Sequence, residues 1–206
     1  MLTLLHTSPV HIPVFDALRD RHRPGLPLRH VVEPELLDRA RREGPAAVAA
    51  EIAGVVRRAA ADGAGAVLCT CSTLGAVAET VAAPVPVLRV DRPMAEAAAD
   101  HAGDGRITVV AALAATLGPT ADLVAEVARR AGHRPRLTTL LVPGAWDLFE
   151  AGDTAGYHRA VAGAVAGLTG TVSVGFPLGC DQSPYRGRWT RQMAEGPPPG
   201  PGAGRH

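Results

Sequence analysis

The chain has 206 residues, of which 47% are hydrophobic but only 3% aromatic, so a packed core must consist mainly of Ala, Val, Leu and Gly. Its 21 Lys and Arg residues are balanced by 20 Asp and Glu residues, and this net charge of +1 argues against nucleic-acid or membrane-surface partners. No apolar run reaches the roughly 18 residues of a membrane span, and residues 1–6 lack the basic start and long apolar centre of a signal peptide. We therefore expect a cytoplasmic protein.

Short apolar runs alternate with helical patterns along the first half of the chain. Pro34 stands at an early helical position, and the apolar residues of segment 45–61 recur near the helical period until Gly63 ends the pattern. The predicted elements are, in chain order, strand 2–5, helix 12–21, strand 28–32, a helix beginning at 33–34, helix 45–61, strand 64–69, helix 74–82 and strand 85–90.

The pattern then begins again. The predicted elements of the second half are strand 106–111, helix 120–131, strand 137–142, a helical turn at 146–149, helix 154–168 and a weaker strand 171–178. Strands that alternate with helices indicate a parallel sheet with helices on both faces, and the break near Pro93 indicates two lobes in series. We predict an α/β fold with a first lobe over 1–93, a second lobe over 94–185, and a disordered Pro/Gly-rich tail over 186–206.

Cys71 stands just after the apolar run of the third predicted strand and precedes Ser72, Thr73 and Gly75, which open a predicted helix. A thiol at this place lies near the first N–H groups of the helix, where the helix carries roughly half a positive charge. This field favours the thiolate, which is the basic and nucleophilic form of the side chain. The sequence thus predicts that Cys71 ionises more readily than a free cysteine and lies where an α/β sheet binds its ligand.

Cys180 closes the apolar run at the end of the last predicted strand. If the two lobes are related by symmetry, Cys71 and Cys180 lie on opposite walls of one cleft, an arrangement that suits two-base chemistry. One thiolate then removes the proton from a carbon beside a carboxylate, and the other thiol returns a proton to the opposite face. The three cysteines, with Cys69 the third, indicate no disulfide framework, and no second Cys or His pair stands at zinc-ligand spacing.

Hydroxyl side chains follow several of the predicted strands. They could hold a substrate carboxylate, together with helix-end N–H groups, and stabilise the charge that develops when the α-proton leaves. Ordinary alternatives stay open, because Thr and Ser before Pro are common in turns and because either Thr116 or Thr120 could cap a helix. The candidate substrate-binding residues are Thr7, Ser8, Ser72, Thr73 and Thr116.

Two other polar residues receive a structural interpretation. Asp91 follows the fourth predicted strand, and we expect it to form an ion pair with Arg89 or Arg92. His30 could donate a proton, but a strand histidine that simply packs is the preferred interpretation.

The chain resembles the aspartate/glutamate racemase superfamily. The most specific element is Cys71-Ser72-Thr73 after the run 63–68, supported by segments 5–8 and 87–94 and by the segment around Thr116, so that the resemblance covers about residues 2–171. It implies cofactor-independent enzymes of two pseudo-symmetric α/β lobes, with one catalytic cysteine from each lobe. By this likeness Cys71 is the first-lobe acid/base, and the five hydroxyl residues named above hold the substrate carboxylate.

The second half of the site departs from the family pattern. Members with two cysteines follow the second with Thr and then an acidic residue or His, whereas Cys180 is followed by Asp181-Gln182-Ser183-Pro184. The fold also usually returns a C-terminal helix to the first lobe, where this chain has Arg, Pro and Gly. A reading-frame change or truncation near Val172 is one explanation of both departures.

The sequence therefore predicts a cofactor-independent amino-acid racemase or isomerase in which Cys71 and Cys180 exchange a proton at the α-carbon of a small carboxylate. The alternatives are a non-catalytic carboxylate-binding relative, or a one-cysteine decarboxylase or cis–trans isomerase of the kind known among relatives. The expected partner is a small carboxylate or amino-acid substrate, without nucleic acid or membrane. A homodimer is compatible with the sequence, which carries no readable mark of oligomeric state.

Overall fold

The apolar runs form two parallel β-sheets in the computed structural model, which describes residues 1–166, 168 and 172–174. The strands are, in chain order, β1 (Leu2–His6), β2 (Leu28–Val32), β3 (Ala66–Cys69), β4 (Val87–Arg89), β5 (Arg106–Ala111), β6 (Arg136–Leu141) and β7 (Val172–Val174). The first sheet has the order β2-β1-β3-β4 and the second the order β6-β5-β7. The first three strands of each half therefore share one order, with the first strand between the second and the third.

Helices connect these parallel strands, as the crossover between parallel neighbours requires. They are α1 (Ile12–His22), α2 (Pro34–Glu43), α3 (Ala49–Ala61), α4 (Ser72–Glu79), α5 (Arg92–Ala102), α6 (Ala114–Arg130), α7 (Ala145–Glu150) and α8 (Thr154–Ala166). Short 3₁₀ turns at Pro9–His11 and Pro45–Val48 precede α1 and α3. None of the helices in the described part of the chain is long and apolar enough to cross a membrane.

Small aliphatic side chains fill the core, as the low aromatic content requires. In the first half, α2, α3 and α4 pack on β1 and β3 around the fully buried Val48, Ile52 and Leu74. In the second half, α5 and α6 pack on β5 around Ile107 and Leu123. Leu113 and Trp146, which follow β5 and β6, pack against the first-half cluster, so the two halves meet through apolar contacts.

The α/β architecture with parallel sheets flanked by helices is confirmed, and strands β2 and β5 have the predicted bounds. Helix α5 is missing from the sequence prediction, which interprets Pro93 as a break between lobes. In the structure Pro93 occupies an early helical position, where the missing N–H of proline removes no intrahelical hydrogen bond. Helix α6 begins at Ala114 and not at Thr120, since it continues through Pro119. Helix α4 begins at Ser72, two residues before the predicted start.

Several sequence predictions lie outside the described residues. They include Cys180, the segment that follows it and the tail 186–206. The division into lobes at Pro93 stays a prediction.

Candidate active site

The segments that follow β1, β3 and β4 leave the first sheet at the same edge. The parallel register pairs Leu5 with Cys69 and Cys69 with Arg89, so the strands end side by side. Thr7 comes directly after β1, and Cys71 and Asp91 come two residues after the ends of β3 and β4. This is the carboxyl edge, where open α/β sheets bind their ligands.

Cys71 is buried at the N-cap position of α4. The hydroxyls of Thr7 and Thr73 and the backbone N–H groups of Thr73 and Leu74 approach its sulfur and favour the thiolate. Burial acts in the opposite direction and outweighs them, so the pKa of the Cys71 thiol is raised above its ordinary value. The prediction that Cys71 ionises more readily than a free thiol is therefore wrong for this structure, because the charge would have to leave water.

The neighbouring Cys69 is a useful contrast. Its side chain lies in the core of the first half, and its Sγ donates to the Cys71 carbonyl oxygen at 3.6 Å. Burial raises the pKa of the Cys69 thiol strongly, and the nearby Cys71 raises it further. The Cys71 backbone and the charge of Arg89 act against this rise at Cys69, whereas at Cys71 hydroxyl and backbone groups of Thr7, Thr73 and Leu74 do so.

Hydroxyl groups from the two halves meet beside Cys71. Thr73 Oγ1, in the first turn of α4, lies 3.2 Å from Thr116 Oγ1, in the first turn of α6. Thr73 is buried and Thr116 half-buried. Both helices follow strand ends, so each half contributes one hydroxyl and one helix N-terminus to the same place, a combination that binds anions.

The remaining predicted hydroxyls are placed less directly. Ser8 is half-buried and caps the short 3₁₀ turn after β1, where its Oγ accepts from the Val10 N–H at 3.5 Å, as the turn interpretation predicts. Ser72 is buried beside Cys71, and its carbonyl oxygen accepts from Arg89 Nη2 at 3.3 Å. The structure thus gathers Thr7, Cys71 and Thr73 with Thr116.

A buried ion pair between Arg89 and Asp91 lies against the first turn of α4. Arg89 Nε donates to Asp91 Oδ1 at 2.6 Å, and Nη2 donates to Oδ2 at 2.8 Å, with both side chains almost fully buried. The predicted structural ion pair of Asp91 is confirmed with Arg89. Arg92 instead donates to Glu79 at 2.7 and 2.6 Å, and so joins α5 to α4.

Two histidines of the first sheet, His6 and His30, form side-chain hydrogen bonds and do not simply pack as apolar groups. His6, at the end of β1, has its Nδ1 2.8 Å from Thr70 Oγ1 and its Nε2 2.8 Å from His30 Nδ1. His30 Nε2 lies 3.4 Å from Asp16 Oδ1. Burial, with smaller contributions from the neighbouring His30 and His11, lowers the pKa of His6 to about 4, so its imidazole is neutral near pH 7.

An aromatic wall from the second half faces the loop after β1. His11 stacks on Phe149 with ring centroids 5.9 Å apart, and Phe149 contacts Trp146 at 5.1 Å and Tyr157 at 5.8 Å. His11 is buried, and its Nδ1 has no hydrogen-bond partner among the described residues. Burial lowers the pKa of His11 to about 4, which keeps this imidazole neutral as well.

Sequence reasoning missed Thr70, His6 and His11. Each follows or ends a strand at the edge that carries Cys71, and their polarity next to apolar runs is the signal that could have found them. Among the described residues, no group of three or more His, Cys, Asp or Glu side chains is arranged to hold a metal ion.

No protein-family model matches the sequence, and no curated protein matches it. Solved structures do match. A glutamate racemase from Bacillus anthracis has a TM-score of 0.57 with 19% identity, over 82% of this chain and 64% of that one. An aspartate racemase from Picrophilus torridus has a TM-score of 0.58 with 12% identity, over 81% of this chain and 74% of that one. A Yersinia pestis protein described as an Asp/Glu racemase has a TM-score of 0.58 with 16% identity, over 84% of each chain.

The match with the glutamate racemase thus spans less than two thirds of that protein's length. At these identities the likeness concerns the fold alone. The chain has the fold of the aspartate and glutamate racemases.

Proposed function

We propose that this chain is a cofactor-independent racemase or isomerase of the aspartate/glutamate racemase type, acting in the cytoplasm at the α-carbon of a small carboxylate. The observation that carries the proposal is the position of Cys71, buried at the carboxyl edge of the first sheet with hydroxyls from both halves beside it. The fold of glutamate and aspartate racemases supports the same reaction class.

The substrate carboxylate would occupy the place where Thr73 and Thr116 meet. Two hydroxyl groups and the N-termini of α4 and α6 offer hydrogen-bond donors there. These donors become more valuable as the α-proton leaves, because the resulting enolate-like species carries more negative charge on the carboxylate oxygens. The hydroxyls therefore serve both binding and stabilisation of the intermediate.

Cys71 would exchange the α-proton on one face of the substrate. In one direction its thiolate takes the proton and becomes a thiol, leaving the electron pair on the α-carbon. In the other direction the thiol donates its proton to that carbon and becomes a thiolate. We propose that Cys180 does the converse on the opposite face, so that one proton is taken, one is given, and the configuration inverts.

The raised pKa of Cys71 fits this role in a specific way. The thiol is the resting form, so the free protein presents Cys71 as a proton donor. A thiolate formed at the same place is a stronger base than an ordinary one, which helps it to remove a weakly acidic α-proton. The hydroxyls of Thr7 and Thr73 and the N–H groups of α4 limit the cost of that charge.

A second candidate is a carboxylate-binding protein without turnover. It is favoured by the same observation, since a thiol that stays protonated leaves the hydroxyls and helix N-termini to bind an anion without chemistry. The two candidates share a ligand and differ in whether the α-carbon reacts.

Polarimetry of the separate enantiomers of aspartate and glutamate tests the proposal. The full chain is compared with Cys71→Ala and with the matched control Cys69→Ala, which removes a thiol two residues away in the core. We expect optical rotation to decay with the full chain and with Cys69→Ala, and to remain constant with Cys71→Ala.

Calorimetric binding of the same amino acids separates the candidates. Binding with constant optical rotation supports the binding protein and contradicts the racemase. Loss of rotation that persists in Cys71→Ala contradicts the role of this thiol.

A further inference from the structure

The buried Arg89–Asp91 pair contacts one particular peptide unit of α4. Arg89 donates from Nε and Nη2 to the two carboxylate oxygens of Asp91, at 2.6 and 2.8 Å, and Nη2 also donates to the carbonyl oxygen of Ser72 at 3.3 Å. Ser72 is the first residue of α4, and Cys71 is its N-cap. The guanidinium therefore links the end of β4 to the peptide unit that joins Ser72 to Thr73.

The same peptide unit has its N–H on the side of the thiol. A trans peptide is planar, so its C=O and N–H point in opposite directions, and the described part of the chain contains no cis peptide bond. The carbonyl of the Ser72–Thr73 unit accepts from Arg89, while its N–H is one of the two backbone N–H groups that approach the Cys71 sulfur. The hydrogen bond to Arg89 thus fixes the direction in which the Thr73 N–H points.

This N–H is oriented before any charge forms on the sulfur. Cys71 makes no side-chain hydrogen bond as the N-cap of α4, and a neutral thiol is a weak acceptor. A thiolate accepts more strongly, and a donor that is already in place costs no reorganisation when the charge appears. A carbonyl that accepts from a cation is also polarised, which makes the N–H of the same peptide unit a better donor.

Close packing holds the guanidinium at this place. The side chains of Arg89 and Asp91 are 3% and 0% exposed. A methyl group at Gly75 would lie only 2.8 Å from Arg89 Nε and 3.1 Å from Cζ, so a glycine in α4 lets the guanidinium come this near to the helix. A buried ion pair adds little net stability, because both charges must leave water. The pair therefore calls for an explanation other than stability.

The other titratable groups near the thiol keep one charge state in the alkaline range, where Cys71 ionises because its pKa is raised. From β3, Cys69 interacts with Cys71, and burial raises the pKa of the Cys69 thiol so strongly that it stays protonated. From β1, His6 stays neutral because burial lowers its pKa to about 4. From β4 come Arg89 and Asp91, whose opposite charges cancel when both are removed.

We propose that Arg89 is a positioning residue for Cys71: held by Asp91, it aims the Thr73 N–H at the sulfur and so determines how readily the thiolate forms there. Only the bearing of this role on catalysis rests on the function proposed above. The effect on the thiol itself can be measured without substrate.

Titration of the Cys71 thiol in the full chain tests the proposal. A thiolate absorbs in the ultraviolet, and the difference between each protein and its Cys71→Ala counterpart isolates this one group. Arg89→Met combined with Asp91→Leu removes both charges and fills the space with apolar side chains, a change that is often neutral for stability. We expect the titration midpoint of Cys71 to rise by about 0.5–1 pH unit, which is about three- to tenfold less thiolate at a given pH.

The Arg92–Glu79 pair provides the matched control. It also has two hydrogen bonds, at 2.7 and 2.6 Å, but it holds the last residue of α4 and not the first. Arg92→Met combined with Glu79→Leu should therefore leave the midpoint of Cys71 unchanged.

Gly75→Ala is a milder variant that keeps both charges of the pair. The added methyl group displaces Arg89 from the Ser72 carbonyl, so the midpoint of Cys71 should rise here as well. This variant carries the test if the double variant at Arg89 and Asp91 does not fold, and an unchanged midpoint in it then overturns the proposal.

NMR of the backbone amides supplies a signature that a general loosening of α4 would not produce. The N–H groups of Thr73 and Leu74 both approach the sulfur, but the Leu74 N–H belongs to the next peptide unit, whose carbonyl is that of Thr73. In the parent chain both amide signals should shift as Cys71 ionises. In the double variant the response of Thr73 should shrink, and that of Leu74 should persist.

Each outcome has a definite meaning. A folded double variant in which Cys71 titrates as in the parent chain overturns the proposal. An equal rise of the midpoint in the Arg92 and Glu79 control does so as well, and equal losses at Thr73 and Leu74 contradict the role of the Ser72–Thr73 unit. If the titrations follow the expectation but no amino acid is racemised, the proposed function fails and the positioning role stands.

Discussion

Gly75 lies in the first half of α4 and faces Arg89 of the buried Arg89–Asp91 pair. Its replacement by Ala tests how rigidly that pair holds Arg89 against α4. A methyl group added at Gly75 would lie 2.8 Å from Arg89 Nε, 3.0 Å from Arg89 Cβ and 3.1 Å from Arg89 Cζ. Arg89 cannot simply turn away, because its guanidinium is held by Asp91 at 2.6 and 2.8 Å and by the Ser72 carbonyl at 3.3 Å. Arg89 Cβ is bonded directly to the backbone, so this atom can move away only if β4 itself shifts.

The expected change in stability is the difference between two effects. Overpacking of a buried site costs up to about 3 kcal/mol, whereas Gly→Ala inside a helix returns up to about 1 kcal/mol. We expect Gly75→Ala to lower the free energy of unfolding by about 1–2 kcal/mol. At about 2–4 °C per kcal/mol for a chain of this size, the melting temperature should fall by roughly 2–8 °C.

Gly163→Ala is the matched control. Gly163 also lies inside a helix, α8, and is exposed, and a methyl group there has no atom within 4 Å outside its chain neighbours and its own helix backbone. This variant should gain about 0.5–1 kcal/mol from helix propensity alone. Urea unfolding of both variants measures the difference, and a Gly75→Ala protein as stable as the parent would refute the reasoning about the rigid pair.

Three further predictions concern pH, the buried pair and the hydroxyl cluster. Because the pKa values of His6 and His11 are lowered to about 4 from 6.5, the unfolded chain binds more protons than the folded chain between those two pH values. After allowance for solvent screening, the free energy of unfolding should fall by about 3 kcal/mol from pH 7 to pH 4. In His11→Gln it should fall by clearly less, because one of the two histidines is absent. If urea unfolding shows the same loss of unfolding free energy in the parent chain and in His11→Gln, His11 is not a source of the pH dependence. Asp91→Asn should cost about 3–5 kcal/mol in the same assay because Arg89 is left buried without its partner, whereas the exposed Asp20→Asn should cost less than about 1 kcal/mol. Thr116→Val should weaken calorimetric binding of a dicarboxylate about fivefold through loss of one hydrogen bond, and unchanged affinity would remove Thr116 from the binding site.

The sequence predicted the fold well where hydrophobic period and turn residues agree. Strands β2 and β5 have the predicted bounds because apolar and β-branched runs end at clear breaks. The errors in the helices occur at Pro93 and Pro119, which lie within α5 and α6. Proline breaks many helices, but a helix tolerates it where the missing N–H removes few intrahelical hydrogen bonds. Whether the helix continues then depends on tertiary packing.

The sequence predicted where Cys71 and Thr73 lie in the fold, at the carboxyl end of β3 and the start of α4, but not the electrostatics around them. Of the two partners expected for Asp91, Arg89 forms the ion pair. The pKa of Cys71 was predicted in the wrong direction, because the helix field is visible in the sequence whereas the depth of burial is a property of the packed molecule. His6 and His30 meet across two strands, and this pairing too depends on the sheet order.

The central claim is that the Cys71 thiol exchanges the α-proton of a small carboxylate, and deuterium exchange measures that step without requiring inversion. Each enantiomer of aspartate and glutamate is incubated in deuterated water with the full chain, and the α-hydrogen is followed by proton NMR. We expect deuterium to enter the α-position of at least one of these amino acids with the full chain and with Cys69→Ala, and not with Cys71→Ala. Exchange that continues at the same rate in folded Cys71→Ala would contradict the account.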